Sequence, residues 1–361
     1  MSQAVGWGIV GTGWIARQFA EGLAQAPGAR LVAVASRERA RAVAFADRFR
    51  VHRAHASYEA LARDRDVDIV YLATPNSDHR PSALMMVDAG KSLLCEKPFT
   101  LDATEAREVI ALARHKGVFC MEAMWMRFMP AVIELVDRVR AGALGQVQSA
   151  TIELGHCFDV DPAHRLFNPA LGGGALLDLG VYTVSLAALL FGPITAVQSV
   201  VTMGATGVDE RVAALLSHAA GCRSSIGASL RTRLFNGATV AGTSGWAALH
   251  EPLYRPNAFT VVRTHRQSLA GSGPDGAIRP SLRDRCMRRV ARTIRAAVPV
   301  PSWMRGATIV RPYRGNGYCH QAIEAMRCLR AGLHESPAMP LDDTLHVMEA
   351  LDAIRRNWTE I

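Results

Sequence analysis

The first hundred or so residues alternate between short, continuously apolar runs and longer amphipathic stretches. GWGIVG (6–11) is an apolar run ended by glycine, LVAVAS (31–36) is a second, and DIVYLAT (68–74), SLLCEKP (92–98) and VFCMEA (118–123) follow. Each reads as a buried strand. Between them Ile15–Gln25 has helical spacing, and RERARAVAFADRF (37–49) places Ala40, Val43, Ala44 and Ala46 on an apolar stripe. Repeated strand–helix units of this length predict a parallel, doubly wound sheet with helices on both faces.

After Trp125 the pattern changes. Ala131–Arg140 reads as a helix, Gln146–Glu153 as a half-exposed strand, and Ala175–Leu190 as a long apolar helix opened by three glycines. Strands then come in series at Ala196–Val201, Val212–Ser217, Ser224–Leu230 and Ala238–Ala241. Without helices between them, they predict an antiparallel sheet. Gly271–Gly276 is a flexible stretch leading to an amphipathic segment with Leu282, Cys286, Val290 and Ile294 in a stripe. Tyr318–Ala331 and Asp342–Trp358 read as closing helices. The organisation expected is an N-terminal domain over 1–123 and an α+β domain over 124–361, carrying a basic insertion around 265–306.

Composition changes this picture in two ways. The 361 residues carry a formal net charge of +9, but Arg263–Arg314 holds twelve arginines, no lysine and two acids. That segment is +10 and the remainder −1, so the basic character is local and whole-protein nucleic-acid binding is not expected. No apolar run is long and uninterrupted enough to span a bilayer, and VGWGIV follows Met1 with no leader-like segment, so a cytoplasmic location is expected. The seven cysteines are scattered without a CxxC pair, and Cys157 with His156 and His164 is too sparse for zinc. No metal site is expected.

Gly11, Gly13 and Ala16 spell G-x-G-x-x-A between the first strand and the first helix. The first glycine allows a tight turn, the second lets a pyrophosphate approach the backbone, and Ala16 keeps helix and strand close. Sites for NAD usually place a carboxylate about twenty residues on. Here Ser36 and Arg37 stand at the end of the second strand, with Arg39 and Arg41 behind. A hydroxyl and a guanidinium suit the 2′-phosphate of NADP, making NAD the less favoured cofactor.

Lys97 lies at the carboxyl end of a predicted strand, the edge where open α/β sheets bind ligands. Asp178 and Tyr182 are four residues apart and share a helix face. A lysine ammonium near the phenol would lower its pKa, fitting Tyr182 to give or take an alcohol proton beside a nicotinamide.

Taken with GTGWIA (11–16), ATPNSDH (73–79), EKP (96–98), EAMWMRFMP (122–130), RLFNPALGGGALLDLGVY (165–182) and the stretch 315–355, these residues make the chain resemble the Gfo/Idh/MocA oxidoreductase family. The branch resembled contains dimeric dihydrodiol dehydrogenases. That resemblance implies an N-terminal Rossmann domain and a C-terminal α+β domain with an open antiparallel sheet, often the subunit interface, hence a homodimer. It implies Lys97 as catalytic lysine, Tyr182 as proton donor and Asp178 as their partner. Many relatives carry His at the Tyr182 position. The cofactor is expected against Gly11, Thr12, Gly13, Trp14, Ile15, Ser36, Arg37, Arg41, Thr74, Pro75, Asn76, His79, Glu96, Lys97, Trp125 and Arg127. The substrate is expected against Trp125, Phe128, Arg165, Asp178 and Tyr182.

The resemblance fades between about Tyr254 and Pro312, where roughly thirty residues read as an insertion. Its arginines, among them Arg288, Arg289, Arg292 and Arg295, suit a solvated surface, a lid over an anionic substrate, or a membrane or acidic partner. The function expected is NADP-linked hydride transfer at a sugar, polyol or vicinal-diol carbon. Alternatives are a nucleotide-sugar ketoreductase, a non-catalytic NADP-binding regulator, and a hydrolase that uses bound NAD in an internal redox cycle. Ser36-Arg37 argues against the hydrolase.

Overall fold

In the first third of the chain, helices separate six strands that lie side by side in one parallel sheet. The computed structural model describes residues 4–264 and 306–360. The strands are β1 (Val5–Val10), β2 (Ala29–Ala35), β3 (Arg53–His55), β4 (Ile69–Leu72), β5 (Ser92–Glu96) and β6 (Cys120–Ala123). Their order is β3-β2-β1-β4-β5-β6, every pair parallel. The helices between them are α1 (Trp14–Leu23), α2 (Arg39–Phe49), α3 (Tyr58–Ala62), α4 (His79–Asp88) and α5 (Ala103–Lys116). Strand order reverses between β1 and β4, which opens a crevice at the carboxyl edge. Both faces are covered, so β1, β4 and β5 are buried at every residue. Under that crevice Phe19 stacks on Tyr71 at 3.6 Å between centroids, and Trp7 closes on Phe19 at 5.3 Å. The stripe of α2 differs from the sequence expectation. Ala42, Phe45 and Ala46 are buried while Val43 is 40% exposed, because the sheet lies one residue round the helix.

Beyond Ala123 come α6 (Pro130–Arg140), β7 (Val147–Gly155), α7 (Val181–Phe191), β8 (Ile194–Met203), β9 (Asp209–His218), β10 (Arg223–Ser229), β11 (Ala238–Gly242), β12 (Gly245–Leu249), β13 (Ala258–Arg263), β14 (Ala307–Val310), α8 (Cys319–Arg330), α9 (Leu341–Asn357) and β15 (Trp358–Glu360). The nine strands form one sheet in the order β14-β13-β12-β11-β7-β10-β9-β8-β15. It is mixed rather than purely antiparallel. The chain leaves β7 through a loop and α7, and β10 returns beside β7 running the same way. β15, arriving after α9, pairs parallel to β8. Serial order predicted the hairpins and missed these two crossovers.

The expected Ala175–Leu190 helix opens with a single π turn over Leu176–Gly180 before α7 proper. Pro169–Phe191 is long and apolar enough to cross a membrane, yet it is mostly buried as a core element. A helix apolar all round finds its solvent in the protein interior. α8 packs against α1, and α9 packs against α5, α7 and β8, so the C-terminal helices tie the two sheets together. The arginine-rich insertion and its Leu282–Ile294 stripe lie outside the described residues.

Candidate active site

The turn after β1 is built for close approach. Gly11 has φ +100°, and a Cβ there would sit 2.4 Å from the Ala73 carbonyl oxygen, so only glycine fits between β1 and β4. Gly13 has nothing within 4 Å of its missing side chain, and no side chain caps the N-terminus of α1 that it begins. The first N–H groups of α1, from Trp14 and Ile15 onward, therefore face an open space that suits a pyrophosphate. Thr12 lies between the two glycines, and Trp14 is 65% exposed beside them. Gly11 N donates to Ala35 O at 2.9 Å, which brings the end of β2 to this loop. Ser36 is buried with its hydroxyl accepting from Glu38 N at 3.3 Å. Arg37 is exposed, and its charge opposes the burial that raises the Asp78 carboxyl. Arg41 is held by Glu38 in an exposed ion pair at 2.9 Å, a contact weak enough to exchange.

At the other end of the crevice, Lys97 follows β5 and reaches the π turn. Its Nζ donates to the Asp178 carbonyl at 2.8 Å and to Asp178 Oδ1 at 3.3 Å. Arg165 donates to the same Oδ1 at 2.8 Å. Burial alone would raise the Asp178 carboxyl, but the Lys97 ammonium and then the Arg165 guanidinium hold it well below the ordinary carboxylate range. Lys97 Nζ also lies 4.7 Å from the centre of the Tyr182 ring. The Tyr182 oxygen accepts from Trp125 Nε1 at 2.8 Å. The expected lowering of this phenol does not occur. Burial, and next the Glu96 carboxylate, push it well above its ordinary value. Lys97 sits over the ring face and spends its charge on Asp178. Glu96 is buried, accepts from Tyr71 and from the Lys97 N–H, and is itself raised by burial.

Three residues expected to touch cofactor turn inward to the protein. His79 is fully buried, with Nδ1 2.8 Å from Pro98 O and Nε2 3.0 Å from Thr74 O. A neutral ring has a single N–H, so it donates to one of these two carbonyls and packs against the other, between the Thr74-Pro75 turn and the loop after Lys97. Asn76 Nδ2 donates to Gly172 O at 2.9 Å, bridging to the loop that precedes Asp178. Arg127 is buried, with Nε on Ser185 Oγ at 3.0 Å and Nη1 on Asp343 at 2.7 Å, so it anchors α9 and faces away from the crevice. Arg127 also opposes the burial that pushes Glu122 up to about 7. Phe128 is buried beside it.

Burial holds the His79 imidazole down at about 4. A base depressed in the folded state contributes stability that is present above its unfolded value near 6.5 and lost as pH falls through that value toward 4. Between pH of about 7.5 and about 5, this residue is expected to cost about 2 kcal/mol of stability. Urea midpoints of wild type and His79→Gln at both pH values test this, since every other titratable group is present in both proteins. Parallel pH dependences would remove the assignment.

Two tyrosines near Tyr182 escaped sequence reasoning, and His156, weighed from sequence only as a zinc ligand, stands with them. Tyr318 stacks on Trp125 at 4.2 Å and 13°, and Tyr254 lies 5.9 Å from Trp125 and 6.1 Å from Tyr182. His156 stands 6.4 Å from Tyr254. Tyr318 lay inside the GNGYCHQ stretch already singled out and was the legible one. Tyr254 follows a pattern-free segment and offered no signal.

Two family models cover the chain in succession. Residues 5–124 match the NAD-binding Rossmann fold of the oxidoreductase family Gfo/Idh/MocA, and residues 132–248 match the C-terminal domain of the same family. The chain belongs to the Gfo/Idh/MocA oxidoreductase family. Among curated Gfo/Idh/MocA relatives it is 35% identical over 359 residues to the mouse (Mus musculus) trans-1,2-dihydrobenzene-1,2-diol dehydrogenase, covering 98% of this chain and 96% of that one. Solved structures share the fold. A 3-ketoreductase from Actinomadura kijaniata, in complex with NADP and TDP-benzene, superposes with a TM-score of 0.81 at 22% identity, covering 99% of each chain. A levoglucosan dehydrogenase in complex with NADH and levoglucosan gives 0.79 at 21%, covering 98% of this chain and 97% of that one. The first domain is thus an NAD(P)-binding Rossmann domain on an oxidoreductase that acts on CH–OH groups, and those neighbours hold either nucleotide.

Proposed function

We propose that this chain is an NADP-dependent oxidoreductase that moves hydride to or from a CH–OH carbon of a vicinal diol or sugar, with Lys97 and Tyr182 handling the proton. The observation carrying this reading is the Lys97–Asp178–Tyr182–Trp125 cluster, buried at the carboxyl edge of a sheet whose first turn fits a pyrophosphate. A bound nicotinamide supplies or accepts the hydride. The protein supplies the rest. Trp125 Nε1 is a donor only, so its bond to Tyr182 occupies an oxygen lone pair and leaves the phenolic hydrogen for a substrate oxygen. Burial keeps that hydrogen in place at neutral pH. Asp178 and Arg165 fix the direction of the Lys97 ammonium, whose charge stabilises oxyanion character next to the ring.

The half-buried Tyr254, beside the stacked and buried Trp125 and Tyr318, gives an aromatic wall that suits an arene-derived diol or a sugar ring. Nicotinamide absorbance with NADP and trans-1,2-dihydrobenzene-1,2-diol, beside a panel of aldoses, tests the reading. Turnover of either class sustains it, and no turnover of both with cofactor bound would end it.

The second sheet supports a homodimer. Val200, Leu215, Trp246 and Val310 are exposed, and the strand registers put all four on the same face, opposite the one that packs α7 and α9. Exposed apolar side chains at both ends of one open face, Val200 and Leu215 on one side and Trp246 and Val310 on the other with Ser225, Thr151 and Thr239 between them, suit a second copy of the chain. Sedimentation is expected to show a homodimer at micromolar concentration, and Leu215→Glu a monomer. A wild-type monomer would overturn the dimer.

A further inference from the structure

The segment that carries Asp178 and Tyr182 begins at Gly174, whose carbonyl accepts from Asp178 N at 3.2 Å. The opening N–H groups of such a segment have no partner within it, and Ala175 and Leu176 bring no side chain that could cap them. The cap comes from elsewhere. Asp209, the first residue of β9, accepts from Leu176 N through Oδ2 at 2.6 Å, and the Ala175 amide stabilises the same carboxylate. Gly174 is pressed against it. With φ +120° there, a Cβ would fall 2.1 Å from Asp209 Oδ1.

Asp209 is itself fixed. It is 7% exposed, pairs with Met203 across β8 and β9, and has the Arg355 guanidinium as its charged neighbour. Arg355 in turn donates to Leu101 O at 2.8 Å. On its other side the same loop is gripped by Asn76 at Gly172. The start of the segment is therefore clamped between the second sheet and the nucleotide-binding half. One turn on, Asp178 meets Lys97, and Tyr182 meets Trp125.

We propose that Asp209 is a positioning residue for the reaction, capping this segment across the chain and so setting where Asp178 and Tyr182 stand relative to Lys97. The inference rests on the reading of Lys97 and Tyr182 given above. Reacting groups displaced by a fraction of an ångström lose rate while binding is little changed.

Asp209→Ala is expected to lower kcat on trans-1,2-dihydrobenzene-1,2-diol with NADP about 10- to 100-fold, counted per bound cofactor. KM and the Kd for NADP are expected to stay within about threefold. Asp209→Asn keeps the shape and one acceptor oxygen, and should recover most of the loss. A second readout needs no substrate. The Trp125 indole N–H resonance, assigned with Trp125→Phe, should shift in Asp209→Ala and return in Asp209→Asn, because it reports the bond to Tyr182. Should the alanine variant not fold, Asp209→Ser takes its place. An unchanged kcat per bound cofactor, an unmoved indole resonance, or a loss as large in Asp209→Asn would each overturn the proposal. Full turnover by Tyr182→Phe would instead end the reading of the catalytic residues, leaving the indole resonance to decide on Asp209.

Discussion

Tyr182→Phe and Lys97→Met are expected to bind NADPH as wild type does while hydride transfer falls about 10²- to 10⁴-fold. The two losses have different causes. Removing the Tyr182 hydroxyl takes away the phenolic hydrogen that the Trp125 bond leaves unused, and it leaves the Trp125 N–H without its 2.8 Å acceptor. Removing the Lys97 ammonium leaves Asp178, buried on the other side of the cluster, with Arg165 as its counter-charge. A buried carboxylate that loses one of two cations rises in pKa. Lys97→Met is therefore expected to add a pH-dependent loss that Tyr182→Phe does not show. Because burial holds the phenol well above its ordinary value, wild-type carbonyl reduction should stay level through neutral pH. Single-turnover absorbance with preloaded cofactor separates chemistry from binding. Full turnover in both variants would mean that the proton is handled elsewhere.

How much of this was legible before the fold was known depended on whether a residue's neighbours are set by local spacing. Gly11, Gly13 and Ala16 carry their meaning in two fixed intervals, and the structure places them at the strand–helix turn that this spacing demands. Asp178 and Tyr182 were readable as a pair for the same reason, although the π turn between them was not. Lys97 was readable from its place at a strand end. For Arg127 the motif gave position but not direction. Its neighbour Trp125 points into the site while Arg127 points to Ser185 and Asp343. Asp209 was invisible, since a lone acid opening a strand says nothing about a helix start packed against it. The mixed sheet was invisible likewise, because β7 pairs with β10 only after α7 has carried the chain across.

Arg37→Ala is expected to weaken NADPH binding about 10- to 100-fold and to leave NADH binding nearly unchanged, the range of one or two charge-assisted hydrogen bonds. Ser36 and Arg37 follow directly on the strand end that Gly11 touches, where the adenosine ribose is expected. Ser36 is turned in toward Glu38 N, so the guanidinium is the stronger candidate for a 2′-phosphate. Arg37 makes no ion pair among the described residues, while Arg41 already has Glu38. Arg41→Ala should therefore cost less than Arg37→Ala. The Arg37 contribution should shrink as ionic strength rises, since an exposed charge is screened over about 10 Å at 0.1 M. Paired titrations of wild type and both variants with NADPH and NADH, read by tryptophan fluorescence, give the six affinities needed. If NADH bound as well as NADPH, Arg37 would be an ordinary surface arginine. The absence of a carboxylate at the end of β2 would then need another cause, and the redox-cycling hydrolase would return as a reading of the same Lys97 site.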